Sequence, residues 1–175
     1  MEKWYETAEK LGFEVIAPLD VRALEPRRDI RAMCALNLCG KYGKCWTCPP
    51  VCGDFDTCTR RLKEFSRGIL VQTVVESEAS STAQDRNLAQ QTHRRRFAAL
   101  CREIYPEYPQ ALCLSGEGCR ICESCAWPEP CVHPEACCHC ATGFGLLGSH
   151  LRRCAGLDPQ NGDRFLVFTG CILFP

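Results

Sequence analysis

The sequence predicts an α/β fold, an α+β sandwich in which a mixed sheet carries flanking helices and two cysteine-rich loops. Apolar runs rich in β-branched residues stand at 69–75 and 164–174, and such runs are typical of buried strands. Segments with helical spacing of apolar residues alternate with them. The remaining chain is dominated by two cysteine blocks, 34–58 and 119–140, which also contain Gly and Pro and therefore indicate loops.

The predicted elements alternate along the chain. They are a helix over 2–11, a strand over 13–16, a helix from about 56 to 65, a strand over 69–75, a long helix ending before 106, a strand over 111–114, a helix over 145–154 and a strand over 164–174. Gly12 is expected to end the first helix, and Ala17-Pro18 to close the first strand. The apolar side of the long helix is predicted to consist of Leu88, Phe97, Leu100, Cys101 and Ile104.

The composition indicates a single cysteine-rich domain over residues 1–175, a length that can bury a core without covalent staples. Lys and Arg together number 21 and are balanced by 21 Asp and Glu, so we expect no bulk attraction to nucleic acid or to a membrane surface. The basic run His93–Arg96 is predicted to be the solvated face of a helix. No apolar run is long enough to span a bilayer.

The 17 cysteines could in principle form disulfides, zinc sites, iron–sulfur clusters or redox pairs. An odd number leaves at least one thiol unpaired in a disulfide scaffold. The first twenty residues are charged and amphipathic, without the apolar segment of a secretion signal. We therefore expect a cytoplasmic protein, where thiols stay reduced and more often bind metal or take part in catalysis.

The second cysteine block carries the sharper signal. Cys119, Cys122 and Cys125 form C-x2-C-x2-C, and Cys131 follows after five residues. Bacterial ferredoxins hold a [4Fe–4S] cluster with the same opening spacing, so this half has a ferredoxin-like segment. Zinc is the alternative, although structural zinc sites are usually assembled from two separated pairs of ligands. A [4Fe–4S] cluster at these four cysteines is the favoured prediction.

The first block offers six thiols, at 34, 39, 45, 48, 52 and 58, where a cluster needs four. A second [4Fe–4S] cluster is predicted here. Glycines at 40 and 43 allow backbone N–H groups to approach a sulfur. Cys45 and Cys48 could alternatively be a C-x-x-C redox pair, but that motif normally opens a helix and the prolines after Cys48 oppose one.

The combined motifs resemble those of an uncharacterised bacterial and archaeal family of predicted metal-binding proteins, a domain of unknown function. The first is C-x4-C-x2-Y-G-K-x-W-x-C-P-P over 34–50, and the second is C-x2-C-x2-C-x5-C-x-H-P-E over 119–135. The resemblance implies metal ligation, iron–sulfur or other, by Cys34, Cys39 and Cys48 in the first block. In the second it implies Cys119, Cys122, Cys125 and Cys131.

Other thiols are open to different interpretations. Cys52 is our choice for the fourth ligand of the first site because it lies in the same loop as Cys48, with Cys45 and Cys58 as runners-up. Cys137, Cys138 and Cys140, together with Cys154 if it lies close, could hold a further metal. Three more cysteines fall on apolar faces and are predicted to be core residues: Cys101, Cys113 and Cys171.

The leading functional hypothesis is an iron–sulfur protein with one or two [4Fe–4S] clusters that acts in electron transfer, as a redox carrier or subunit serving a partner protein. The surplus of cysteines keeps open a metal-sensing, delivery or cluster-assembly protein. Three shared ligands in the first block keep open an enzyme with an open-site cluster, although no convincing base or nucleophile accompanies them. A zinc-stabilised interaction module is the remaining alternative. The sequence gives no indication of oligomeric state.

Overall fold

A computed structural model of the chain describes residues 1–76, 82–158 and 164–175. The described part contains one five-stranded sheet and five α-helices. The strands are β1 (Val15–Leu19), β2 (Arg67–Glu76), β3 (Leu112–Ser115), β4 (His139–Cys140) and β5 (Phe165–Phe174). The helices are α1 (Glu2–Lys10), α2 (Arg28–Ala32), α3 (Phe55–Leu62), α4 (Ala83–Ile104) and α5 (Gly148–Cys154).

The sheet is mixed and open, in the order β1-β2-β5-β3-β4. The long strands β2 and β5 pair antiparallel along their whole length, and β1 and β3 flank them, also antiparallel. The parallel pairing is that of β4 on β3, which places Cys140 opposite Ser115 at one edge. The predicted fold class, a mixed sheet with flanking helices, is confirmed.

The sheet is covered on both faces. On one face Ile69 and Ile172 pack with residues of α1 and α4, among them Phe97. On the other face Leu70 and Leu173 pack with residues of α3 and α5. Alternation of side chains along a strand produces these two layers, and it explains why the central strands have continuous apolar runs.

The first strand differs from its prediction. We expected Ala17-Pro18 to close it, but β1 continues to Leu19, with Pro18 opposite Ile69. That prediction was wrong because β1 is an edge strand, where a proline can present its missing N–H to the side that has no partner. Pro18 is therefore compatible with the sheet at this position.

The long helix begins with a capping box, in which Thr82 accepts a hydrogen bond from the backbone of Asp85 and the Asp85 carboxylate accepts one in return. Leu88 was predicted on the apolar side, but it is 60% exposed, and Ala89 occupies that side instead. The other four predicted positions are buried: Phe97, Leu100, Cys101 and Ile104.

The basic run at 93–96 is not a uniform solvated face. His93 is fully buried, with its ring stacked on Phe97 and its Nδ1 3.1 Å from the hydroxyl of Thr73. Arg94 pairs with Glu117, and Arg96 pairs with Glu14 across the sheet edge. Successive helical residues point 100° apart, so four neighbouring basic residues cannot share one environment.

Two short elements were not predicted, α2 and β4. Each spans five residues or fewer, too short to show a hydrophobic period. The start of α3 also lies slightly earlier than the predicted position of about 56, because Asp54 supplies the N-cap and accepts a hydrogen bond from the Thr57 N–H at 2.7 Å. Among the described helices, none has the length and apolar character needed to cross a membrane.

The burial of His93 predicts a pH dependence of stability. Burial, and after it the charge of Arg96, lower the pKa of His93 from 6.5 to about 4. Because the unfolded chain binds this proton more readily, the stabilisation is complete above the ordinary pKa and is lost as the pH falls toward 4. When the pH is lowered from about 7 to about 4.5, the unfolding free energy of both proteins falls. We expect the decrease to be about 2 kcal/mol larger for the parent than for His93→Phe.

Chemical denaturation of both proteins at the two pH values measures this difference. The Phe variant is suitable because the His93 ring already lies among Phe13, Phe97 and Phe168. Other titrating groups are common to the two proteins and cancel in the comparison. Equal losses in the two proteins would contradict the assignment.

Candidate metal centres

The first cysteine block folds as a series of turns between α2 and α3. A short 3-10 helix over Met33–Leu36 is followed by Asn37, whose φ is 52° and whose side chain accepts a hydrogen bond from the Tyr42 N–H at 3.0 Å. Gly40 and Gly43 also have positive φ. Because glycine and asparagine tolerate that region, the block can fold back on itself.

The second block lies against the first. The indole N–H of Trp46 donates to the carbonyl of Glu129 at 2.8 Å, and its ring packs edge-on against Trp127 with centroids 4.4 Å apart. Arg120 donates to the carbonyl of Cys39 at 3.4 Å. These contacts make the two blocks one cysteine-rich region, although more than 80 residues separate the contacting positions.

Four cysteines line one cavity of about 260 Å³, and we call them the first thiol centre: Cys34, Cys39, Cys48 and Cys140. Three of them are the residues that the family resemblance implied. The fourth, Cys140, comes from the second block, where the sequence had suggested a separate metal. Cys52, the predicted fourth ligand, does not line this cavity and lies beside Cys58 instead.

Cys140 reaches the first thiol centre through β4. Its backbone N–H donates to the carbonyl of Thr47 at 3.2 Å, which joins the two blocks directly. The thiol of Cys34 donates to its sulfur, as do the backbone N–H groups of Thr142 and Gly143, and together they lower the pKa of Cys140 to about 6. The same contact with Cys140 raises the pKa of Cys34.

Gly118 makes room for Cys140 to approach the other cysteines of the first thiol centre. Gly118 has φ +65°, and a Cβ there would stand 3.1 Å from the Cβ of Cys140 and 3.6 Å from the sulfur of Cys48. The first contact is tighter than most real Cβ contacts. Gly118 thus lies against the first thiol centre, immediately before the first cysteine of the second block.

Five cysteines converge on a smaller cavity of about 20 Å³, and we call them the second thiol centre: Cys45, Cys119, Cys122, Cys125 and Cys131. Four of them are the cysteines predicted from the C-x2-C-x2-C-x5-C spacing. Cys45 is added by the first block. Burial raises the pKa of Cys119, and backbone N–H groups of Ile121 and Cys138 donate to its sulfur.

The C-x-x-C pair belongs to both centres. Cys45 lines the second cavity and Cys48 lines the first. The thiol of Cys48 donates to Cys45, and this hydrogen bond, followed by contacts with Thr47 and Cys125, lowers the pKa of Cys45 to about 5. Cys45 and Cys48, three residues apart in the chain, therefore connect the two centres.

Cys52 and Cys58 form a pair outside both cavities. The Cys52 thiol donates to Cys58, and the Arg31 guanidinium lies 3.3 Å from the Cys58 sulfur. These two contacts lower the pKa of Cys58 to about 7. Arg31 also donates to the carbonyls of Gly53 and Gly143, so it ties the start of α3 to the chain that follows β4.

The cysteines considered from the sequence for a further metal lie in different surroundings. Cys138 is buried in the apolar core with Cys101 and Cys113, whereas Cys140 belongs to the first thiol centre. Cys154 lies on α5, where its thiol donates to the carbonyl of Ala23 at 3.2 Å. The predictions that Cys101, Cys113 and Cys171 are core residues are confirmed, since all three are fully buried.

The donor sets suit a soft metal. Thiolates are the preferred ligands of iron–sulfur clusters and of zinc, and each centre gathers at least four of them. Gly118 leaves free the space that a side chain would take, and backbone N–H groups already point at Cys119 and Cys140. Within the described residues, no three or more His, Cys, Asp or Glu side chains are already arranged around a single ion position.

The two centres differ in the room that they offer. The first cavity, at about 260 Å³, can accommodate a group much larger than a water molecule. The second, at about 20 Å³, has room for a single ion or water. A [4Fe–4S] cluster in the second centre therefore needs more room than this cavity has, and a single metal ion needs the thiols to turn toward one common position.

A mixed sheet that carries two convergent sets of thiols defines a cysteine-rich protein of the metal-binding class. The chain belongs to the family described as "Predicted metal-binding protein (DUF2284)", a domain of unknown function whose model matches residues 17–174. This match confirms the resemblance shown by the two cysteine motifs. No curated protein and no solved structure matches the chain.

The space at Gly118 provides a test of the first thiol centre. We expect Gly118→Ala to lower the metal bound per chain after anaerobic purification, because the new methyl group lies against Cys140 and Cys48. Gly156→Ala is the matched control. Gly156 has φ +70°, yet a Cβ there meets no heavy atom of the described residues within 4 Å beyond its chain neighbours.

Both substitutions carry the cost of a positive φ, about 1 kcal/mol of unfolding free energy. Only Gly118→Ala intrudes on the thiols. Elemental analysis per chain, with thermal unfolding beside it, separates the two effects. Equal metal contents in the two variants would show that Gly118 does not border a metal centre.

Proposed function

We propose that this protein is an iron–sulfur protein that passes single electrons to a partner protein, with its two metal centres joined by one C-x-x-C segment. The observation that carries the proposal is the division of that segment between the two cavities, Cys45 to the second and Cys48 to the first. A single-ion structural site has no need of a second centre in contact with it. Two electron-transfer centres need to be close to each other, since an electron must pass between them.

The first thiol centre is proposed to hold a [4Fe–4S] cluster through Cys34, Cys39, Cys48 and Cys140. Its support is the donor set, four thiols in a cavity of cluster size, with the backbone N–H groups of Thr142 and Gly143 donating to one sulfur. When bound, such a cluster accepts and releases one electron at a potential set by hydrogen bonds to the sulfurs and by burial. The chain supplies both of these controls.

The second thiol centre is proposed to hold metal through Cys119, Cys122, Cys125 and Cys131, with Cys45 as a fifth sulfur. The ferredoxin-like spacing supports a second [4Fe–4S] cluster, whereas the narrow cavity supports a single zinc ion. The metal content of this centre therefore distinguishes a two-cluster carrier from a one-cluster protein with a structural zinc.

A partner surface is available beside the first thiol centre. Met33 and Leu38 line the rim of its cavity and are 52% and 92% exposed, and Leu36 between them is 68% exposed. Large apolar side chains grouped on the surface commonly mark interaction sites. We propose that the redox partner docks here, where Cys39 is also exposed.

One observation favours a second candidate, a protein that delivers metal. The second thiol centre has five sulfurs where four suffice, so Cys45 can replace one ligand without leaving an empty position. Stepwise exchange of thiolates is a route by which metal passes from one protein to another. The open-site enzyme has less support, because Cys140 supplies a fourth thiol where three had been expected.

Metal analysis of cysteine variants tests the ligand assignment. Purified without oxygen, the parent is expected to be brown, and Cys140→Ser to lose about four iron and four acid-labile sulfide per chain. Cys52→Ser is the matched control. Cys52 closely follows the proposed ligand Cys48 in the chain, but it lines neither cavity. Cys122→Ser should remove the metal of the second centre only, whether iron or zinc.

Retention of all iron by Cys140→Ser, with loss of iron in Cys52→Ser, would restore the assignment made from loop spacing. A colourless parent that contains only zinc would end the electron-transfer proposal.

Reduction and metal release separate a carrier from a delivery protein. For a carrier, we expect dithionite to reduce the parent reversibly with an electron-spin signal, and we expect metal to stay bound in excess chelator. For a delivery protein, chelator should strip the second centre at least tenfold faster than the first, and Cys45→Ser should slow that release by removing the spare sulfur. Rapid stripping of both centres from the parent would exclude the carrier.

A further inference from the structure

A second kind of cavity lies beside the thiol centres, between α4 and the second cysteine block. Its volume is about 250 Å³, and the helix contributes Arg94, Arg95 and Arg102 to its lining. The second cysteine block contributes Arg120 to the lining. Among the described residues that line it, no acidic side chain is present. A concave space surrounded by guanidinium groups has the lining that an anion requires.

The positive charge is only partly balanced from outside the cavity. Arg94 pairs with Glu117 at 2.5 Å, and Arg102 approaches Glu135 at 4.0 Å. Arg95 contacts the hydroxyl of Thr92 at 3.5 Å, and no ion pair joins it to a described acidic residue. Four arginines against two glutamates leave a formal excess of two positive charges.

A buried donor makes the case stronger. The Nε of Arg120 is shielded from solvent and has no hydrogen-bond partner among the described residues, while its Nη2 donates to the carbonyl of Cys39. An unpaired buried donor on a charged group is costly, because the water that would have solvated it is excluded. An anion in the adjoining cavity could accept this hydrogen bond.

The shape of the cavity indicates a small ligand. Beside the arginines, the lining includes the apolar residues Phe97, Ala98 and Ala136. A space of about 250 Å³ lies at the lower limit of ligand pockets. An extended acidic segment of a partner protein would need a longer groove than a cavity of this size provides.

We propose that this cavity binds a small oxyanion, a carboxylate- or phosphate-bearing molecule, next to the first thiol centre. This cavity adjoins the cavity of the first thiol centre, because Arg94 and Arg120 line both. The site is distinct from metal binding and from electron transfer, and its occupancy does not depend on which metal the thiol centres hold.

A competing explanation is that the arginines only offset the charge of metal-bound thiolates. That explanation applies to Arg94 and Arg120, which border the first thiol centre. It does not apply to Arg95 and Arg102, which line the anion cavity alone. Variants of these last two therefore distinguish an anion site from charge compensation.

The test is calorimetric titration of the full chain, purified anaerobically with its metal content measured, with inorganic phosphate and with malonate at constant ionic strength. We expect saturable one-to-one binding of at least one of them, and the tighter of the two identifies the source of the oxyanion. Arg95→Gln and Arg102→Gln should each weaken it about tenfold, the loss of one charged hydrogen bond. Ala98→Leu, which fills the cavity without changing charge, should abolish it.

Arg67→Gln is the matched control, because Arg67 is exposed at the start of β2 and donates to the carbonyl of Pro175. It should bind as the parent does, and unchanged metal content in every variant shows that the fold is retained. Absence of saturable binding, or equal binding by the parent, Ala98→Leu and Arg95→Gln, would overturn the proposal. Binding of an oligoglutamate peptide without either small anion would overturn it in favour of a protein partner.

Discussion

The pairing of the two-residue strand β4 with β3 is the constraint on which the cysteine region depends. Cys140 lies opposite Ser115, and the next residue, Ala141, donates its N–H to the Ser115 carbonyl at 2.9 Å. The N–H of Cys140 is then directed to Thr47 in the other block. A short strand at the edge of a sheet thus brings the end of one cysteine loop against the middle of the other. Without it, the first thiol centre would have three sulfurs.

The buried sheet gives these loops a rigid base. Both faces of the central strands are covered, so the ends of β3 and β4 are held by packing that the loops themselves do not supply. The loops have almost no regular structure and depend on turns, backbone bonds to Ser115 and Thr47, and the contact of Trp46 with Trp127. A ligand loop with little regular structure on a fixed base is suited to metal, which adds the cross-links that the loops lack.

Charge is distributed around the cysteine region in a consistent way. Gathered thiolates repel one another and are stable only with cations, whether metal or arginine. Arg31 stands beside Cys58, while Arg94 and Arg120 border the first thiol centre. The chain has no net charge, so this local excess of arginine is a property of the fold and not of the composition. It places the two thiol centres and the arginine-lined cavity in one electrostatic environment.

Local patterns in the sequence were sufficient for much of the architecture. Continuous β-branched runs gave the central strands, and helical spacing gave α1 and α4, because both signals arise from neighbouring residues facing one core. Errors fell where tertiary context decides: Leu88 points to solvent, and Pro18 is accepted at a sheet edge. The α2 and β4 elements are too short to show any period.

The sequence by itself determined that cysteines gather in two loops and that the second has ferredoxin-like spacing, since those sulfurs are brought together by short chain connections. Only the tertiary structure decided how the sulfurs are grouped. Cys140, on the edge strand β4, joins Cys34 and Cys48 of the first block. Cys45 lines the second cavity, whereas Cys48, three residues on, lines the first. Spacing constrains residues close in the chain, but contacts between distant segments follow from strand pairing, which no local motif encodes.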